Sequence, residues 1–121
     1  VAADTDPAAW QQAAEVTIAN DDTLARRDLD LFLRCNDRFG EDTLTVHITL
    51  LTPDSLRFGE PFLLTLRHDR RTAALASEAV IPYRRRVRFG RTGDYRIRIT
   101  PARPVRGVES IGIHIKTSEQ N

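Results

Sequence analysis

One stretch of the chain, residues 43–50, alternates apolar and polar residues without an exception. Leu44, Val46, Ile48 and Leu50 fall on one side of it, and three threonines and a histidine fall on the other. A period of two residues is typical of a β-strand with one buried face, and it does not fit the 3.6-residue period of a helix. The fold must therefore contain at least one half-buried strand.

The same alternation recurs elsewhere in the chain. Its apolar positions run over Leu29–Cys35, Phe62–Leu66, Tyr95–Ile99 and Ile111–Ile115, with shorter candidates at 15–18, 75–81 and 84–89. Turn-forming residues separate the segments at 20–22, 38–40, 53–55, 58–59, 90–93 and 101–107. Strands at this spacing indicate an antiparallel sandwich or barrel. Because the strands are apolar on one side only, we predict an all-β fold, an antiparallel two-sheet sandwich of jelly-roll or immunoglobulin-like type. Residues 69–79 fit either one short helix or an irregular crossover.

The patterned region predicts a single domain. Residues 1–9 consist mostly of alanine, aspartate and proline without periodicity, so we expect a flexible tether there. Residues 10–117 form the β-sandwich domain, in which Trp10 is expected to close one end of the core. Residues 118–121 are expected to be a tail. A chain of 121 residues is long enough to bury a two-layer core.

Charge is unevenly distributed along the chain. Residues 1–60 hold twelve acidic and five basic side chains, whereas residues 61–121 hold five acidic and thirteen basic ones. If the segments that flank Gly90–Gly93 form a hairpin, both glycines adopt positive φ and Phe89 opposes Tyr95. That register places Arg88 opposite Arg96 and Arg86 opposite Arg98, and it disappears if the two strands belong to different sheets.

Five arginines of this region form the candidate interaction patch. They are Arg84, Arg86, Arg88, Arg96 and Arg98. An acidic protein surface or anionic lipid headgroups would complement such a patch. Nucleic acid is not expected as a partner, because single-strand binders also need exposed aromatic side chains that stack on bases, and these are scarce here.

The residue types that catalysis requires form no recognised pattern. His47, His68 and His114 lack the spacing of a metal site, and the single cysteine, Cys35, excludes an internal disulfide and a cysteine-based zinc site. Cys35 is in phase with the apolar face of its strand, so we expect it to be buried. No nucleophile elbow or phosphate-binding loop is present. We therefore expect no catalytic residue, no cofactor and no metal.

The C-terminal third carries a longer pattern. Gly93 and Tyr95 open an alternating strand, a proline-containing linker follows, and residues 107–115 read Gly-Val-x-x-Ile-Gly-Ile-x-Ile. In this order, with Trp10 near the start of the domain, the chain resembles the gliding-motility lipoprotein GldH family of Bacteroidetes. The resemblance runs from Trp10 to Ile115 and is most specific over residues 89–115.

The resemblance implies a lipoprotein of the cell envelope that faces the periplasm or the cell surface. It implies envelope proteins as partners and a lipid-anchored cysteine upstream of Val1, because Cys35 lies inside a predicted strand. It assigns no catalytic residue. The leading hypothesis is thus a non-catalytic scaffold or interaction subunit of an envelope motility or secretion complex. The alternatives are a secreted module that binds carbohydrate or peptide and, third, a small enzyme.

Overall fold

A computed structural model describes residues 1–66 and 77–118, and the described residues contain eight β-strands. The strands are β1 (Ala2–Asp4), β2 (Ala14–Asn20), β3 (Arg26–Cys35), β4 (Thr43–Leu51), β5 (Arg57–Thr65), β6 (Ser77–Arg88), β7 (Gly93–Pro101) and β8 (Val108–Thr117). They form two antiparallel sheets with the orders β1-β8-β3-β6 (sheet one) and β2-β7-β4-β5 (sheet two). The prediction of an all-β, two-sheet sandwich is confirmed.

The pairing of the strands identifies the type of sandwich. β1 pairs with β8, β2 with β7, β3 with β6 and β4 with β5. These are the pairs of one long antiparallel ribbon, rolled so that successive pairs alternate between the two sheets. This arrangement is the jelly roll, which decides between the two sandwich types left open by the sequence.

The core lies between the sheets and consists largely of residues that the alternation selects. On β4, Leu44, Val46 and Ile48 are buried, whereas Leu50 is half-buried. Cys35 is buried as predicted. Trp10 is buried as well, and its backbone exchanges hydrogen bonds with Val105, so it closes one end of the core as expected.

The N-terminal segment differs from the prediction. Residues 1–9 were expected to be a flexible tether, but Ala2–Asp4 form β1 at the edge of sheet one. The backbones of Val1 and Ile113 also exchange hydrogen bonds in both directions. A three-residue edge strand is held by main-chain hydrogen bonds rather than by a buried face, so it leaves no periodic signal in the sequence. At the other end, Ser118 is buried, and the expected tail beyond it lies outside the described residues.

Two local predictions also change. Phe58–Gly59 was predicted to be a turn, but it lies inside β5. A Cβ at Gly59 would lie 2.9 Å from Nε2 of His47, so the glycine makes room for a side chain of the neighbouring strand. Of the segment that fitted a helix or a crossover, residues 69–76 lie outside the described residues, and 77–79 belong to β6.

The predicted hairpin between residues 84 and 98 is wrong. β6 pairs with β3 in sheet one, whereas β7 pairs with β2 and β4 in sheet two, so the chain crosses between sheets after Phe89. Of the two glycines expected at positive φ, Gly93 has a φ of 129°, and Gly90 does not adopt this conformation. The hydroxyl of Tyr95 accepts a hydrogen bond from the backbone N–H of Arg91, as expected of a buried tyrosine.

Candidate functional site

The five arginines of the predicted patch do not form one stripe. Arg84, Arg86 and Arg88 belong to β6 of sheet one, and Arg96 and Arg98 belong to β7 of sheet two. The expected oppositions of Arg88 with Arg96 and of Arg86 with Arg98 are therefore absent, because a register exists only between strands of the same sheet.

The two arginines of sheet two share one carboxylate. Arg96 Nε and Arg98 Nε lie 3.9 and 3.4 Å from Oε1 of Glu15, which belongs to the neighbouring strand β2. All three side chains are substantially exposed to solvent, so this arrangement contributes little to stability. It does, however, offset part of the positive charge on the outer face of sheet two.

The arginines of β6 divide into two groups. Arg84 forms an ion pair with Glu60, and Arg85 Nη1 lies 2.7 Å from Oδ1 of Asp30. Arg86 has a φ of 58°, and its backbone N–H donates to Asp28. Its side chain is exposed, as is that of Arg88.

Arg88 faces a second arginine after all. It lies directly opposite Arg26 on β3, and Nη1 of Arg26 approaches the carbonyl oxygen of Arg86 at 3.4 Å. We call Arg26, Arg86 and Arg88 the basic corner. Within residues 1–66 and 77–118, no carboxylate lies within ion-pair distance of these three guanidinium groups. Arg26 was missed by sequence reasoning, although it is in phase with Asp28 and Asp30 on the polar side of its strand.

The histidines and the cysteine occupy separate places. His47 packs beside Gly59, His114 stacks on Phe32 with ring centroids 4.6 Å apart, and His68 lies outside the described residues. In the described part of the chain, no group of three metal-ligating residues occurs. Burial, with a smaller contribution from Glu109, raises the pKa of the Cys35 thiol to about 12, so the thiol stays protonated at neutral pH.

A cleft of about 340 Å³ opens between the sheets on the side where the edge strands β5 and β6 face each other. Its floor is formed by Leu29, Ile48, Phe89 and Ile97, all of them buried and drawn from both sheets. The half-buried Val87 forms part of its wall. Sequence reasoning did not find this cleft, because alternation shows which residues point inward but not whether they meet.

The mouth of the cleft combines an exposed aromatic ring with a polar cluster. Phe58 is 57% exposed, and Glu60, Tyr83 and Arg84 lie beside it. The Tyr83 hydroxyl donates to Oε1 of Glu60 at 2.6 Å, and the Tyr83 ring meets Phe62 edge-on. Burial, followed by the contact with Glu60, raises the pKa of Tyr83, so its hydroxyl remains a hydrogen-bond donor over the physiological range.

The chain matches no protein-family model and no curated protein sequence. Among the residues that the structure describes, no helix has the length and apolar character needed to cross a membrane.

Proposed function

We propose that this protein is a non-catalytic interaction subunit of a cell-envelope assembly, and that it binds an acidic surface of a partner protein through the basic corner. The envelope setting comes from the resemblance to the GldH family. The observation that supports the binding surface is the opposition of Arg26 and Arg88 beside Arg86.

The basic corner is costly for the isolated chain. Like charges directly opposed across two strands destabilise a sheet by a few tenths of a kcal/mol, roughly. On the outer face of sheet two, by contrast, Glu15 accompanies Arg96 and Arg98. A partner that brings carboxylates to the corner would remove the repulsion, and complementary charge would also speed and orient association.

A photo-crosslinking residue at Leu24 tests this surface in native cells. Leu24 is 79% exposed and lies two residues before Arg26. A crosslinking residue at this position therefore captures proteins that bind next to the basic corner, and it leaves the charges of the corner unchanged. We expect it to capture an envelope protein in the otherwise unchanged chain. Combining Arg26→Gln with Arg88→Gln should abolish that capture, because it removes both opposed charges.

The matched control combines Arg96→Gln with Arg98→Gln. It removes the same net charge from sheet two and should leave the capture at Leu24 intact. Equal loss in both double variants would show that only net charge matters. Capture of lipid alone, or of no envelope protein, would overturn the proposed partner. Labelling of the full-length gene product with a fatty-acid analogue tests the envelope anchor separately.

A second candidate function is ligand binding, which the cleft between the sheets favours. An exposed ring at the mouth of a cleft is the feature expected of a binding module. Carbohydrate fits the floor poorly, because sugar hydroxyls buried against Leu29 and Ile48 would lose their hydrogen bonds to water without replacement.

A further inference from the structure

We infer that the cleft between the sheets is a binding site for a free single-chain carboxylate amphiphile of the fatty-acid type. In this arrangement the alkyl chain occupies the floor and the carboxylate meets Arg84 at the mouth. The inference does not depend on the basic corner, because the two features involve different residues.

The floor selects for a group that forms no hydrogen bonds. Leu29, Ile48, Phe89 and Ile97 are each at most 4% exposed, and none of their side chains carries a polar atom. An alkyl chain placed there gives up only contact with water, so each buried methylene contributes favourably. A hydroxyl or an amide in the same place would be left without a partner.

The backbone of β6 explains why the cleft is open. The pairing of β3 with β6 shifts register on both sides of Leu29, and Arg86 adopts a φ of 58° in the same region. Such irregularities bend the strand that contains them and interrupt regular pairing. The irregular part of β6 contains Arg84 and Val87, both of which line the cleft.

The mouth holds the ion pair of Arg84 with Glu60 at the boundary of the apolar floor. The Arg84 guanidinium lies 4.5 Å from the centre of the Tyr83 ring and is paired with Glu60, while its Nη1 approaches the Tyr83 carbonyl oxygen at 3.2 Å. Arginine carries more donors than these contacts use, and a planar fork of donors suits a carboxylate. Because these contacts already orient Arg84, it loses little further freedom when a ligand binds.

The size of the cleft favours a single chain. Small-molecule pockets span roughly 300–1,000 Å³, and a volume of about 340 Å³ lies at the lower end of that range. A second acyl chain, such as that of a phospholipid, would need more room. The ligand of this cleft is therefore the free carboxylate rather than a membrane lipid.

Calorimetric titration with octanoate, decanoate and dodecanoate, each below its micellar concentration, tests the floor. Affinity should rise by about threefold to fourfold for each methylene that enters the cleft. Val87→Phe should fill the cleft and weaken dodecanoate binding at least tenfold. The control Val80→Phe lies on the same strand, where Val80 is 51% exposed, and should bind like the unchanged protein.

Arg84→Gln tests the mouth. It should weaken dodecanoate binding about tenfold and leave binding of the uncharged dodecanol within twofold. If Val87→Phe does not fold, Leu50→Phe fills the cleft from β4 instead. In either case, the Tm of the unchanged protein is measured with and without dodecanoate, and we expect dodecanoate to raise it. Affinity that is independent of chain length, equal loss in Val87→Phe and Val80→Phe, or preference for diacyl phospholipid vesicles would each overturn the inference.

Discussion

Asn20 ends β2 with a carboxamide that is only 3% exposed. Its Nδ2 donates to the carbonyl oxygens of Phe89 and Arg91, at 3.2 and 2.7 Å, and so holds the crossover between the sheets. Asn20→Asp keeps the shape but removes both donors. We expect the free energy of unfolding to fall by about 1–3 kcal/mol, as measured by guanidinium denaturation.

Asn36→Asp provides the control for that substitution. The Oδ1 of Asn36 accepts a hydrogen bond from the backbone N–H of Arg38, and a carboxylate preserves this acceptor. The change should therefore alter stability by less than about 0.5 kcal/mol. A loss at Asn20 no greater than that at Asn36 would show that the buried donors are not needed.

At the scale of single residues, the sequence predicts on which face of a strand a side chain lies. It does not predict which residues far away in the sequence that side chain contacts. The inward residues of β4 and the burial of Cys35 followed from alternation alone, because one face of a strand has one environment. The roles of Asn20 and Arg26 did not follow. Each depends on contact with a segment about sixty or more residues away, with Phe89 and Arg88 respectively, and periodicity carries no information about such contacts.

At the scale of elements, Gly112 decides whether β1 docks on β8. A Cβ built there would overlap the carbonyl oxygen of Val1 and lie 2.6 Å from the Cα of Ala2. Gly112→Ala should therefore displace β1 while β8 keeps its pairing with β3. We expect a loss of about 1–3 kcal/mol in unfolding free energy and faster amide exchange at Thr5 and Ile113, both measured on the full chain.

Gly90→Ala is the matched control, because no atom outside its two chain neighbours lies within 4 Å of a Cβ built at Gly90, and its φ is not positive. It should leave both observables unchanged. Slow exchange at Ile113 in Gly112→Ala would contradict the requirement for glycine. The sequence did not predict β1, because a glycine in β8 that makes room for a neighbouring backbone resembles, in sequence, any other interruption of a strand.

At the scale of the whole molecule, alternation predicts layers but not neighbours. Two sheets with a shared core follow from strands that are apolar on one side. The pairing of the strands depends on the jelly-roll topology, which the alternation does not encode. The turn residues at 90–93, for example, fit a hairpin as well as a crossover between the sheets. The cleft is a consequence of the same topology. It is lined by Leu29 of sheet one and Ile97 of sheet two, and it opens on the side where β5 and β6 are the edge strands of their sheets.

Acid should weaken the whole fold through three hydrogen-bonded carboxylates. Contacts from the Leu24 and Ala25 amides lower the pKa of Asp22, the Ser118 hydroxyl chiefly lowers that of Asp28, and the Thr52 hydroxyl chiefly lowers that of Asp54. Below about pH 4 the unfolded chain therefore binds more protons than the folded one, and stability falls as pH decreases.

The denaturant midpoint, measured between pH 6 and pH 2, checks this sign. Asp28→Asn should reduce the acid-dependent fall, because that carboxylate accepts hydrogen bonds from β6 and from Ser118. Asp37→Asn is the control, because it removes the same charge from an exposed turn where, in the described structure, its side chain accepts no hydrogen bond. A midpoint that is constant down to pH 2, or equal slopes in the two variants, would show that these contacts do not link the fold to protonation.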